Sequence, residues 1–169
     1  MKNVSKKVCL LGDFAVGKTS LVRRFVYDLF SDRYISTIGV KVSRKTVVVP
    51  SDDEMIELTM MLWDLAGSEA FDLFRASYLR GSAGALLVCD LQRAETLAHL
   101  GEYVEQLRTV SPEAKFAIAA NKADLDNFAI EDAALFAFAE GIDAPVYFTS
   151  ARNGEKVDTL FRHLGRLLV

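Results

Sequence analysis

Long apolar runs are the first thing this sequence lacks. No window approaches the roughly 18 consecutive apolar residues of a membrane-crossing helix, so none is expected. The opening MKNVSKKVCLLGD is basic, but its apolar run is too short for the h-region of a signal peptide. Positive charge is not in surplus: 20 Lys and Arg against 23 Asp and Glu leave a net charge of −3. That balance argues against nucleic acid as the main partner. Cysteine is scarce. Cys9 and Cys89 each sit in an apolar run, and both are expected as buried thiols rather than a disulfide. There is no internal repeat and no low-complexity segment. Neither lipid signal is expected, because GRLLV carries no terminal cysteine and Met1 is followed by Lys2. The expected location is cytoplasmic, and 169 residues fit a single domain spanning 1–169.

What is present is an alternation of strands and helices. KKVCLLGD reads as a short buried strand, and Leu21, Val22, Phe25, Val26 and Leu29 then recur at helical spacing. GVKVSRKTVVVP and MIELTMMLWD flank the turn SDDE, which predicts a hairpin. Lys41, Arg44 and Lys45 suit an exposed edge strand. GALLVCD and KFAIAANKAD are near-continuous apolar runs, as in strands buried on both faces. Leu97, Leu100, Val104 and Leu107 mark a helix between them. IEDAALFAFAEG predicts a helix closed by Gly141 as its C-cap. APVYFTS is a sixth strand, and Val157, Leu160, Phe161, Leu164 and Leu168 mark a last helix. This order predicts an open, mostly parallel α/β sheet, which binds ligands at the carboxyl ends of its strands.

The residues at those ends are informative. GDFAVGKT, Gly12 to Thr19, satisfies G-x-x-x-x-G-K-[ST] between a predicted strand and a predicted helix. Such a loop turns successive N–H groups toward an anion at a helix N-terminus. Lys18 is expected to reach the β- and γ-phosphates, and Thr19 to ligate Mg²⁺. Asp64 ends the third strand, where a carboxylate acting through water completes a site for a cation that keeps its waters. NKAD, Asn121 to Asp124, follows the fifth strand. A carboxylate there accepts from guanine's N1–H and N2–H₂, and adenine offers no such pair. Asn121 can bond the purine edge and tie loops together, and the stem of Lys122 can cover the ring. In TSAR, Ser150, Ala151 and Arg152 follow Thr149 and offer backbone N–H groups to the guanine oxygen.

GDFAVGKTS, STIGV, WDLAG, NKAD and TSAR together resemble the Ras-like small GTPases, the Rab branch most of all, over essentially the whole chain. The resemblance implies the P-loop NTPase (small G-protein) fold: a six-stranded, mostly parallel sheet with one antiparallel edge strand, flanked by five helices. It implies GTP/GDP and Mg²⁺ as ligands, with Ala15, Val16, Gly17, Lys18, Thr19 and Ser20 around the phosphates. By position, Phe30 edge-stacks on guanine and Tyr34 closes over the phosphates. Thr37 ligates Mg²⁺ and senses the γ-phosphate, and Gly67 donates its N–H to the same group, as in a phosphate-held switch. Effectors, exchange factors and activating proteins are the implied partners. Trp63 and Tyr78 match two of three positions of an aromatic docking patch, and Val42 occupies the third. A monomer is expected. The resemblance also makes the first and fourth strands neighbours, which would bring Cys9 and Cys89 near each other as thiols.

Two departures bear on catalysis. Ser68 stands where most of that family has the glutamine that orients the attacking water, so slow hydrolysis is expected. Ser68 either leaves that water unheld or serves as a cap for the following helix. Phe14 occupies a loop position that is normally small, where a ring either crowds the γ-phosphate or points to solvent. Lys18, Thr37, Gly67 and Ser68 are the candidate catalytic residues. Two functions follow: a GTP-binding switch with weak hydrolysis, or a GTP-binding interaction module with negligible turnover.

Overall fold

The computed structural model describes residues 1–31, 33, 39–65 and 72–169, the side chains of 72–74 excepted. Tyr34, Thr37, Gly67 and Ser68 lie outside the described residues.

Six strands form one sheet in the order β2-β3-β1-β4-β5-β6. They are β1 (Lys2–Leu11), β2 (Val40–Ser51), β3 (Glu54–Leu65), β4 (Gly84–Asp90), β5 (Lys115–Asn121) and β6 (Val146–Thr149). Among the described residues, only the β2–β3 hairpin is antiparallel; the other pairings are parallel. The helices are α1 (Lys18–Tyr27), α2 (Asp72–Leu79), α3 (Ala94–Ala98), α4 (Leu100–Val110), α5 (Asp132–Gly141) and α6 (Val157–Leu167). Helices α3 and α4 abut at His99, whose backbone stays in the right-handed helical region, so they form one interrupted helix and the flanking helices number five.

Strand alternation sends each face of the sheet into its own core. Val8 and Leu10 of β1, Leu86 and Val88 of β4, and Ala117 and Ala119 of β5 face α1 and α6. On that side the Phe25 and Phe161 rings stack with centroids 4.2 Å apart. Cys9, Leu11, Leu87, Cys89 and Ile118 face α4 and α5. Burial of both faces explains why β4 and β5 read as uninterrupted apolar runs. Two details depart from expectation. Helix α1 ends before Leu29 because Asp28 adopts a left-handed φ of 54°, donates its N–H to Arg24 O and pairs with the Arg24 side chain; Leu29 is exposed. Gly141 is the last residue of α5 and not its left-handed cap. Asp143 takes that conformation at φ 52°, while its N–H and that of Ala144 satisfy the last carbonyls.

The cysteines also differ from expectation. Strands β1 and β4 do pair, but Cys9 sits opposite Ala85. Cys89 is four residues further along, about 13 Å by strand rise. Both are free and buried. Burial pushes the Cys9 thiol up and the Cys89 thiol to about 12, so neither is a nucleophile near neutral pH.

Candidate functional site

Parallel pairing brings the carboxyl ends of β1, β3, β4, β5 and β6 to one edge. The register is specific: Leu10 lies opposite Asp64, Asp90 opposite Asn121, and Asn121 opposite Thr149. Five segments distant in sequence therefore meet at that edge.

The loop after β1 is shaped by its two glycines. Gly17 has φ 106°, and a Cβ on it would lie 2.3 Å from Asn121 Nδ2. A Cβ on Gly12 would lie 2.4 Å from the Val88 carbonyl oxygen. Only glycine permits either approach. Inside this curl, buried Lys18 donates from Nζ to Gly12 O at 2.8 Å and Asp13 O at 2.9 Å. Burial lowers its pKa to about 8, with Asp64 and Asp13 pulling it back up. Lys18 thus braces the loop carbonyls across the cradle. Val16 is fully buried beneath the loop, while Ala15 takes a left-handed φ of 62° and Ser20 is half-buried in α1. Thr19, in the first turn of α1, donates its hydroxyl to Asp64 Oδ2 at 2.5 Å. Asp64 is buried at the end of β3.

The second half of the site hangs on Asn121. Its amide donates to Val16 O at 2.9 Å, and its Oδ1 accepts from Thr149 Oγ1 at 3.1 Å. Asp124 accepts from Ser150 Oγ at 2.8 Å, and Ala123 N–H donates to Thr149 O. The Lys122 backbone is left-handed (φ 69°), and its Nζ pairs with Asp90 Oδ2 at 2.9 Å. Ser150 and Ala151 are buried; Arg152 is exposed. Arg24 of α1 donates to the carbonyls of Ala151 and Arg152, tying α1 to this loop. Phe30 is about one-third exposed, away from the core.

Beside the hairpin, Val42 is opposite Trp63 in register and exposed. The Trp63 ring lies 6.3 Å from the Tyr78 ring, and Lys7 Nζ sits 3.8 Å above Trp63. Val42, Trp63 and Tyr78, expected from the resemblance to form a docking patch, are therefore neighbours. Phe14 is half exposed, and Arg93 donates to its carbonyl at 2.9 Å.

Asp13, Arg24 and Asp90 were not singled out from the sequence, and Thr149 entered only as the first residue of TSAR. Only Asp90 carried a signal, as a carboxylate ending a fully apolar strand. The others acquire their roles through partners more than 25 residues away.

The donor set fits a nucleoside polyphosphate with Mg²⁺. The glycine-only curl leaves backbone N–H groups and one ammonium for an anion. Thr19 and Asp64 form a pair of hard oxygens, suited to a small cation that takes few protein ligands and keeps waters. Asp124 and Asn121 present hydrogen-bonding groups beyond it. A strand–loop–helix phosphate cradle joined to a base-reading loop defines a nucleotide-binding α/β protein.

Comparison narrows the class. The Ras family model matches residues 7–169. Ras-related protein Rab-31 of Homo sapiens is 40% identical over 164 residues, covering 95% of this chain and 81% of that protein. Ras-related protein Rab-22A of Canis lupus familiaris is 39% identical over 162 residues, with the same coverage of 95% and 81%. Rab-like protein 2A of Mus musculus is 35% identical over 163 residues, covering 96% of this chain and 70% of that protein. The chain belongs to the Ras family, on its Rab-like side. It is a small GTP-binding switch protein of the GTPase class.

Proposed function

We propose that this chain binds GTP and GDP through the residues described above, hydrolyses GTP slowly, and offers its switch segments to effectors in the GTP state. The observation that carries the reading is the Asn121 amide on the Val16 carbonyl, which makes one rigid site of a phosphate loop and a base-reading loop. Lys18 holds the cradle open as a ring of N–H donors and turns its charge to the β- and γ-phosphates. Thr19 would ligate Mg²⁺, with Asp64, to which its hydroxyl donates here, acting through water. Mg²⁺, when bound, supplies positive charge to the oxygens of the transferring group. Asp124 accepts from the guanine edge, and the Lys122 stem, anchored by Asp90, lies along the base. Ser150, Ala151 and Arg152 offer backbone N–H groups to the guanine oxygen. Phe30 and Tyr34 border the nucleotide. Thr37 and Gly67 sense the γ-phosphate, so loading with GTP orders residues 30–40 and 64–78.

Ser68 sets the rate in this reading. Its side chain is shorter than the usual glutamine by several bonds and leaves the attacking water poorly held. Turnover is expected to be several-fold to about a hundredfold below the roughly 3–5 × 10⁻⁴ s⁻¹ of unaided Ras. An activating partner carrying its own glutamine and arginine would restore it if Phe14 leaves room, and the ring's exposure supports that room. Val42, Trp63 and Tyr78 form the docking patch, on a monomer working in the cytoplasm.

Single-turnover hydrolysis of GTP tests this. Ser68→Gln should raise the unaided rate several-fold or more. A gain from Phe14→Gly and none from Ser68→Gln would move the obstruction to the phosphate loop. If both single variants and the double variant bind GTP tightly yet turn over no faster, the chain is a GTP-binding interaction module.

A further inference from the structure

The phosphate loop is gripped from outside as well as from within. Asp13 is the loop's second residue, and its main-chain carbonyl is one of the two that hold Lys18. Its carboxylate turns the other way, toward the helix formed by α3 and α4. There Oδ2 meets His99 Nδ1 at 2.5 Å, and Oδ1 accepts from Tyr103 OH at 2.9 Å. Arg93, just before α3, donates to the next carbonyl along the loop, that of Phe14. Arg75 of α2 stacks above the Tyr103 ring, with its guanidinium carbon 5.1 Å from the ring centre.

A carboxylate in a loop that holds polyphosphate opposes its own ligand. Each negative phosphate raises the cost of an uncompensated charge at position 13. Tyr103 gives Asp13 a hydrogen bond but no charge. His99 gives a charge only when protonated, and of the two side chains that hydrogen-bond this carboxylate it is the one that titrates near physiological pH. We propose that His99 and Tyr103 position the phosphate loop through Asp13, and that the proton on His99 tunes the grip on the nucleotide: tight when the imidazolium neutralises Asp13, looser when it does not. His99 is half exposed, so bulk protons reach it. The hydrogen bond and charge of Asp13 favour the charged form most, desolvation comes next and opposes it, and Glu102 of α4 and Glu95 of α3 add smaller support, the latter partly occupied by Arg93 at 3.2 Å. The proton is therefore held to a pH above the ordinary imidazole value of 6.5. Affinity for the nucleotide should be high below that value and should fall as the pH rises through the raised one.

The inference rests on nucleotide binding by this loop, and its test separates the two. The dissociation constant of GDP with Mg²⁺ is measured from pH 5.5 to 8.5 for the parent, His99→Gln and Asp13→Asn. Titration of the GDP phosphates, of Lys18 and of distant His163 is common to the parent and His99→Gln, and cancels in their ratio. The parent should bind about three- to tenfold more tightly than His99→Gln at the acid end, converging with it at the alkaline end. The His99 ring, followed by NMR, should titrate above 6.5 in the parent and move down in Asp13→Asn. Superimposable affinity profiles with tight binding in both proteins, or a His99 titration indifferent to Asp13→Asn, would overturn this proposal alone. A parent that binds no GDP at any pH would overturn the nucleotide reading and this proposal with it.

Discussion

Asn121 and Val16 lie 105 residues apart in the chain, yet the Asn121 amide donates to the Val16 carbonyl at 2.9 Å in a buried contact. The same side chain accepts from Thr149. One residue thus links the phosphate loop, the base-reading loop and the loop after β6. Asn121→Ala strands the Val16 carbonyl and the Thr149 hydroxyl. At roughly 1–3 kcal/mol for each buried group left unsatisfied, affinity for GTP and GDP should fall together by at least about tenfold. Isothermal titration with both nucleotides measures it, and a loss confined to one of them would contradict the linking role.

Gly17→Ala should damage the protein before any ligand is added. The new Cβ meets Asn121 Nδ2 at 2.3 Å on a backbone of φ 106°. The strain of such a conformation is on the order of 1–3 kcal/mol, and displacing Asn121 adds to it. Urea unfolding of the nucleotide-free protein should show this loss; unchanged stability would mean that the loop relaxes freely.

Lys18 makes nucleotide-free stability depend on alkaline pH. Its folded pKa is about 8, against 10.5 for the free side chain. Below about 8 the ammonium is charged in both states, and its burial cost is fully present. Between about 8 and 10.5 the unfolded chain holds the proton that the folded chain has released, so stability rises with pH. Relative to Lys18→Met, the parent should gain on the order of 2–4 kcal/mol across that window. Denaturant melts at stepped pH measure the difference. Saturating GDP should abolish it, because anionic phosphate keeps Lys18 charged.

Asp124 should decide the base. Its carboxylate is already oriented by Ser150 Oγ at 2.8 Å. Asp124→Ala removes an acceptor for two guanine donors, each charged hydrogen bond being worth roughly 1.5–3 kcal/mol. GTP affinity should drop by at least about a hundredfold, while the weak affinity for ATP stays unchanged. Competition binding with both nucleotides checks it, and equal affinity of the parent for ATP and GTP would refute the assignment.

The amino-acid sequence by itself determined the order of elements and the local chemistry. The apolar runs of β4 and β5 read as strands buried on both faces because charge is confined to their ends, with Asp90 closing β4 and Lys115 opening β5. Gly12 and Gly17 at their spacing, with Lys18 and Thr19 opening a helix, specify a phosphate cradle, since its N–H groups come from consecutive residues. NKAD and TSAR were legible for the same reason: the groups that act are neighbours in the chain. What the chain does at long range was decided by sheet order and register. Cys9 faces Ala85 and not Cys89 because strand offset, unlike strand adjacency, depends on packing against both helical layers. Lys122 is steered by Asp90 across the β4–β5 pairing. The Asp13 carboxylate turns to His99 and Tyr103, 86 and 90 residues away, only because the helix after β4 packs beside the loop after β1. Hydrogen bonds and charges act over a few ångströms, so their partners are set by where the fold brings side chains together and not by their spacing along the chain.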